Sequence, residues 1–112
     1  MKVKVSVLIP VYGVEKYLDT FLQSLTEQSL LEAEFIVVND ASPDKSHEII
    51  KKYLKKDDRF IYINKKENEG LYKARQDAFD KARGEYVINL DSDDYISSCF
   101  LAFSSKASYW SA

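Results

Sequence analysis

Three carboxylates fall within four residues at Asp91-Ser92-Asp93-Asp94, directly after the apolar run Tyr86-Val87-Ile88-Asn89-Leu90. Like charges this close repel one another unless a cation or cationic ligand sits between them. Hard oxygen ligands of this kind favour Mg²⁺ or Mn²⁺. A metal-phosphate site is therefore one reading of the stretch. The other is an acidic turn that caps the next element, since Asp is a frequent turn former.

The elements that must position these groups can be read from hydrophobic periodicity. Val5 to Tyr12 is β-branched and nearly continuous, as a central parallel strand covered on both faces would be. Pro10 cannot donate to a ladder, so regular pairing is expected to end near it, and Gly13 allows a sharp turn. Val14, Tyr17, Leu18, Phe21, Leu22 and Leu25 then recur at helical spacing. A second apolar run, Glu34 to Asp40, again ends in an acid. Ser42-Pro43-Asp44 reads as a helix start, with Ser42 at the N-cap and Pro43 in the first turn. Ile49, Ile50, Tyr53 and Leu54 supply that helix's buried stripe. Its lysines, and the sole histidine, His47, read as surface residues.

Arg59 to Ile63 is a shorter third strand, and Gly70 permits the turn into a third helix. Leu71, Ala74, Ala78, Phe79 and Ala82 line one side of that helix, and Gly84 reads as its C-cap. The fourth strand carries the chain to Asp91. Strands alternating with helices at these lengths predict right-handed crossovers and an α/β, mostly parallel sheet with helices on both faces. Such sheets bind ligands outside the carboxyl ends of their strands. Here those ends carry Pro10 and Tyr12, Asp40, and Asp91 with Asp93.

The 112-residue chain is 46 % hydrophobic and 30 % charged, with a formal charge of -2. These values suit one globular domain and leave no basic footprint for nucleic acid. With one cysteine, Cys99, no internal disulfide can form, and no apolar run approaches the roughly 20 residues of a membrane span. A cytoplasmic location is expected. An EF-hand loop starting at Asp91 fails, because Ile96 and Ala102 stand where Gly and Glu are needed. The three glycines, Gly13, Gly70 and Gly84, cannot build a Gly-rich phosphate loop or a dinucleotide fingerprint. One His and one Cys cannot assemble a zinc site or a Ser-His triad.

Four ordered segments remain: Val5 to Tyr12; Val37-Val38-Asn39-Asp40-Ala41-Ser42; Asn68-Glu69-Gly70 with Ala74-Arg75; and Gly84-Glu85-Tyr86 through Asp94. Together, over residues 1–96, they resemble the motifs of the family 2 glycosyltransferases, which have a Rossmann-like GT-A fold. The resemblance implies a metal-dependent, inverting transfer from a nucleotide-diphosphate sugar, commonly a UDP-sugar, to an acceptor hydroxyl of a saccharide or glycoconjugate. The hexosyl or N-acetylhexosaminyl type and cell-envelope polysaccharide synthesis are the expected setting. It implies that the backbone at Pro10 and the ring of Tyr12 hold the base, and that Asp40 accepts a hydrogen bond from it. Asn68 and Arg75 lie near the diphosphate or donor sugar, Asp91 faces the ribose or sugar, and Asp93 ligates Mn²⁺ or Mg²⁺. Taken singly, Tyr12 also reads as a rim aromatic, Asp40 and Asn68 as turn formers, Arg75 as a solvated side chain and Asp94 as a cap.

Residues 97–112 depart from the family's pattern. Members continue well beyond the Asp-x-Asp into a segment that supplies the general base and acceptor pocket. The expectation is a donor-binding portion of a longer, truncated enzyme, which in full length works at the membrane's inner face. Self-association through an exposed apolar surface is also expected. A non-catalytic nucleotide-sugar-binding fragment is the alternative. A sugar-phosphate nucleotidyltransferase is the weaker third reading, because Val11-Tyr12-Gly13-Val14-Glu15 lacks the Gly-rich, basic loop that such an enzyme needs.

Overall fold

Strands β1 (Val5–Val11) and β2 (Ala33–Asn39) are buried at every position, as unbroken apolar runs must be when both sheet faces are covered. The computed structural model describes residues 3–29 and 31–90. Within them the shorter strands β3 (Phe60–Asn64) and β4 (Tyr86–Asn89) flank the central pair in the order β3-β2-β1-β4, and all three pairings are parallel.

Alternation along β1 sends its side chains to two separate cores. Val5, Val7, Ile9 and Val11 pack with Leu18, Phe21 and Leu22 of α1 (Glu15–Thr26) and with Ile50 and Tyr53 of α2 (Ser46–Leu54). Leu8 points the other way and meets Ala74 and Ala78 of α3 (Leu71–Lys81), together with Ile36 and Val38. The first two crossovers step from β1 to β2 to β3 in one direction, and the third returns to the far side of β1. Right-handed crossovers travelling in opposite directions place their helices on opposite faces. The strand order therefore reverses between β1 and β4, and the crevice that open α/β sheets use for ligands lies at that switch point.

Pro10 marks the same place. The Leu90 N–H bonds the Leu8 carbonyl at 3.0 Å, and the Asp40 N–H bonds the Val11 carbonyl at 3.0 Å. Because successive residues of a strand turn their backbone groups to alternate neighbours, Leu8 and Pro10 face β4 and Val11 faces β2. Lacking an N–H, Pro10 cannot donate to the β4 side. Among the described residues the β4 ladder runs to Leu90, the residue before Asp91.

Several local expectations shift. α2 begins at Ser46, not at Ser42-Pro43. Asp44 draws in the Ser42 hydroxyl and both the N–H and the hydroxyl of Ser46, which makes a turn of the preceding residues. The buried stripe of α3 is narrower than its sequence pattern: Leu71 is 53 % and Phe79 49 % exposed. Phe79 turns about 100° away from Ala78, and Leu71 stands at the first residue of the helix. Tyr17 stands out from α1 and is 51 % exposed.

Gly84 is not a helix cap, since α3 closes at Ala82. A Cβ on Gly84 would lie 2.8 Å from both the backbone nitrogen and the Oγ of Ser6, and 2.9 Å from the Val5 carbonyl carbon. Its own N–H bonds Ser6 Oγ at 2.8 Å. That oxygen in turn donates to the buried Glu34 carboxylate, which also receives the Arg83 N–H and its Nε. This cluster ties the entry to β4 onto the amino-terminal end of the sheet. Gly84→Ala should therefore destabilise the fold by about 1–3 kcal/mol through overpacking against immobile backbone. A urea titration showing an unchanged midpoint would refute that close approach.

Candidate functional site at the carboxyl edge of the sheet

β2 ends in two buried polar residues, Asn39 and Asp40, which are 2 % and 3 % exposed. A buried carboxylate needs hydrogen-bond donors to offset the solvation it loses. Asp40 finds them in the loop after β3: its two oxygens accept the Glu69 and Gly70 N–H groups, each at 2.9 Å. Asn68 completes the clasp by donating Nδ2 to the Asp40 carbonyl at 3.2 Å. Gly70 enters α3 at φ 96°, a region that side chains disfavour. The first turn of α3 carries no acidic residue, so the positive end of that helix is left without an acidic side chain of its own.

Asn39 serves the other direction. Its Oδ1 accepts the Ser42 N–H at 2.9 Å, its Nδ2 donates to the Tyr62 hydroxyl at 3.1 Å, and its carbonyl takes the Lys65 N–H. Between Asp40 and Ser42 the chain turns through Ala41, whose φ of 58° is left-handed. The Ser42 hydroxyl oxygen receives the Gly13 N–H at 2.9 Å and donates to Asp44. Asp44 also accepts the Glu15 N–H, and the Glu15 carboxylate accepts the Lys45 N–H. The turns after β1 and β2 are thereby stitched into one platform. Burial pushes the Asp44 carboxyl upward, but the bonds from Ser42, Ser46 and Glu15 outweigh it and hold the carboxyl at about 2.

Tyr12 stands on this platform, 53 % exposed, one residue past β1. Arg75, one turn into α3, is half-buried and lines a groove of about 390 Å³ with Leu8, Tyr72, Gln76, Phe79 and Asn89. The structure thus brings Pro10, Tyr12, Asp40 and Asn68 to the carboxyl edge, with Arg75 on the α3 flank of the switch point. Asp91, Asp93 and Asp94 lie outside the described residues. Among the described residues no three His, Cys, Asp or Glu side chains converge as a metal site. Sequence reasoning missed Asn39, Ser42 and Asp44 as joints between loops, and His47, which is half-buried rather than an ordinary surface residue. The Ser-x-Asp spacing before a helix is a signal for the Ser42 and Asp44 pair. Nothing local in the sequence pairs Asn39 with Tyr62, 23 residues away.

Residues 6–101 match the family model described as glycosyl transferase family 2. The chain belongs to that family. It is 44 % identical over 93 residues, 83 % of its length, to glycosyltransferase GlyA of Streptococcus pneumoniae, and covers 13 % of that protein. Its structure is similar to that of Staphylococcus aureus TarS residues 1–349 in complex with UDP-GlcNAc, with a TM-score of 0.85 and 37 % identity over 92 % of this chain and 30 % of that one. The mannosyltransferase PcManGT of Pyrobaculum calidifontis, 23 % identical with a TM-score of 0.77 over 85 % of this chain and 29 % of that one, shares the fold. The α/β reading, with a parallel sheet and helices on both faces, is borne out in the form of the GT-A glycosyltransferases. The chain spans less than a third of the length of each of these three proteins. No helix among the described residues is long and apolar enough to cross a membrane.

Two outcomes follow from the platform. The Asp44 carboxyl is held below its ordinary value in the folded state, so its contribution to stability is present above about pH 4 and is lost as pH falls toward 2. Asp44→Asn should cost on the order of 1–2 kcal/mol at pH 7, after allowance for solvent screening, and almost nothing near pH 2. Urea titrations at the two pH values check this. Ala41→Gly should leave the fold intact and raise its stability by up to about 1 kcal/mol, because glycine relieves the left-handed backbone. A loss of stability would place the strain elsewhere.

Proposed function

We propose that this chain forms the donor-binding part of a sugar transferase, holding a UDP-sugar across the carboxyl edge at the β1/β4 switch point. The observation that carries the reading is the Asp40 clasp, which sets the amino end of α3 beside the turn that exposes Tyr12. The first turn of α3 adds no acidic residue to this edge, although the Asp40 carboxylate bonds the N–H groups at the start of the helix. An exposed aromatic ring on a rigid turn suits a nucleobase. The TarS neighbour, by its description, is a complex with UDP-GlcNAc, and that likeness supports a nucleotide-sugar donor here.

In this reading the Pro10 backbone and the Tyr12 ring hold the base, and Asp40 accepts from it with lone pairs that the loop leaves over. Asn68 and Arg75 flank the diphosphate, where the guanidinium offsets phosphate charge. Asp91 faces the ribose or sugar, and Asp93 is the ligand for Mn²⁺ or Mg²⁺. The residues fit such an ion in two respects: the donors are carboxylates, suited to a hard cation, and Leu90 delivers the chain to this edge immediately before Asp91. When bound, the metal supplies Lewis-acid stabilisation of the charge that builds on a departing diphosphate. The full-length protein transfers the sugar to a saccharide or glycoconjugate hydroxyl with inversion, as part of envelope polysaccharide synthesis. The names of relatives such as the Bacillus subtilis teichuronic acid and minor teichoic acid biosynthesis proteins support that setting.

A second reading, nucleotide-sugar binding without catalysis by this chain, rests on a specific observation. The carboxylates of Asp40 and Asp44 at this edge are each engaged by backbone N–H donors, and an engaged carboxylate is a poor base toward an acceptor hydroxyl. Calorimetric titration with UDP, with and without Mn²⁺, tests the donor site. Metal-dependent binding that disappears in Asp93→Ala is the expected result, and no binding under either condition would overturn it. Transfer assays with saccharide acceptors then separate the two readings.

A further inference from the structure

The buried residues of α3 are Ala74 and Ala78, which present only methyl groups to Leu8, Ile36 and Val38. Short side chains interlock little with the surface beneath them, so this contact line sets the height of the helix more firmly than its rotation. The ends of α3 are pinned near its axis. The Asp40 carboxylate takes the Gly70 N–H before the first turn, and the Glu34 carboxylate takes the Arg83 N–H after the last. Pins on the axis leave rotation about it undetermined.

A bond from one flank of the helix determines it. At about 100° per residue, Arg75 and Asp77 fall about 80° to either side of the line midway between the two alanines. Arg75 faces the β4 flank, in the groove with Leu8 and Asn89. Asp77 faces the β3 flank, where its Oδ2 meets the Lys65 ammonium. Lys65 is the first residue after β3, and its N–H bonds the Asn39 carbonyl at 2.9 Å, which anchors it to the end of β2. The same ammonium holds the Glu69 carboxylate. The Lys65 side chain is only 9 % exposed, so these attractions are weakly screened. The bonds from Lys73 to Asp77 and from Gln76 to Asp80 run within the helix and cannot orient it.

We propose that Lys65 and Asp77 are positioning residues for the diphosphate side of the pocket. Their ion pair, across the helix from Arg75, fixes the rotation of α3 and with it the place of the Arg75 guanidinium. On a helix of roughly 5 Å outer radius, a turn of about 10° carries a side chain about 1 Å. A shift of that size spoils the geometry of a charge-assisted hydrogen bond. Neither residue needs to touch the nucleotide.

The proposal rests on the donor reading above, and its test separates the two. UDP affinity is measured by calorimetry for the native chain, Lys65→Met, Asp77→Asn, Arg75→Ala and each of the first two variants combined with Arg75→Ala. Uridine, which lacks the diphosphate, is titrated in parallel by NMR. Lys65→Met and Asp77→Asn should each weaken UDP about threefold to tenfold and leave uridine unchanged. In the Arg75→Ala background neither should weaken UDP further, because a positioning effect disappears with the group positioned. Unchanged UDP affinity in both variants, an equal loss for uridine, or an undiminished loss without Arg75 would each overturn the proposal. Urea midpoints identify a variant that has lost its fold, and either variant alone breaks the pair and decides the question.

If UDP does not bind the native chain, the donor reading fails, and NMR of the arginine Nε–H groups still decides the positioning. The signal missing from Arg75→Ala identifies that residue. Its displacement in Asp77→Asn and Lys65→Met, with the signals of Arg59 and Arg83 unmoved, supports the ion pair as the device that orients α3. An Arg75 signal unmoved in both would end it.

Discussion

The carboxylate of Asp40 fixes the relation between the two faces of this molecule. Its oxygens bind the Glu69 and Gly70 N–H groups, so the end of a central strand dictates where the only helix described on its face begins. Without donors, a carboxylate this buried would cost several kcal/mol to desolvate. With two backbone N–H groups it becomes a fixed joint. The polar loop from 65 to 69 needs no core of its own, because its closing residues are tied to the sheet. What lies above the edge, the amino end of α3 on one side and the Tyr12 turn on the other, is placed by that joint.

The two ends of the sheet use polar side chains differently. At the amino end, Glu34, Ser6, Arg83 and Gly84 form a closed cluster in which the buried carboxylate is met by two N–H donors of Arg83 and by the Ser6 hydroxyl. Arg59 closes another joint there, bonding Asp57 and the carbonyls of Thr26 and Gln28 just past α1. Those charges are consumed within the fold. At the carboxyl edge the polar groups bind backbone loops instead, and leave the Tyr12 ring exposed. Folding needs anchors at both ends, but only the second arrangement leaves chemistry facing outward.

The fold was legible because its signals are local and redundant. Val7 to Val11 and Phe35 to Val38 are continuous apolar runs, and α1 repeats its apolar residues at three and four. The candidate edge was legible too, since Pro10, Tyr12 and Asp40 stand at or just beyond predicted strand ends and Asn68 in the loop that follows the third strand. The failures share a physical origin. Ser42-Pro43-Asp44 carries every mark of a helix start, yet Asp44 gains more by gathering Ser42, Ser46 and Glu15 than by lying inside a first turn. Gly84 looks like a cap because it follows a helix, whereas its small size is required by Ser6, 78 residues away. Leu71 and Phe79 fit a helical stripe, but Leu71 stands at the first residue of α3 and Phe79 turns about 100° away from Ala78. His47 and Tyr62 meet across 15 residues, and periodicity carries no information about such a contact.

α3 is also where the molecule's asymmetry is greatest. Its inward line is Ala74 and Ala78, both fully buried, while Tyr72 is 86 % and Phe79 49 % exposed. Alanines permit close approach to Leu8, Ile36 and Val38, and that approach brings Arg75 down beside Leu8 and Asn89 at the rim of the groove. A larger residue at position 74 or 78 would lift the helix and carry Arg75 away from the switch point. The small side chains of α3 therefore set the height of a charged one. On the donor reading, the reach of that guanidinium toward a diphosphate is decided by packing on the far side of the same helix.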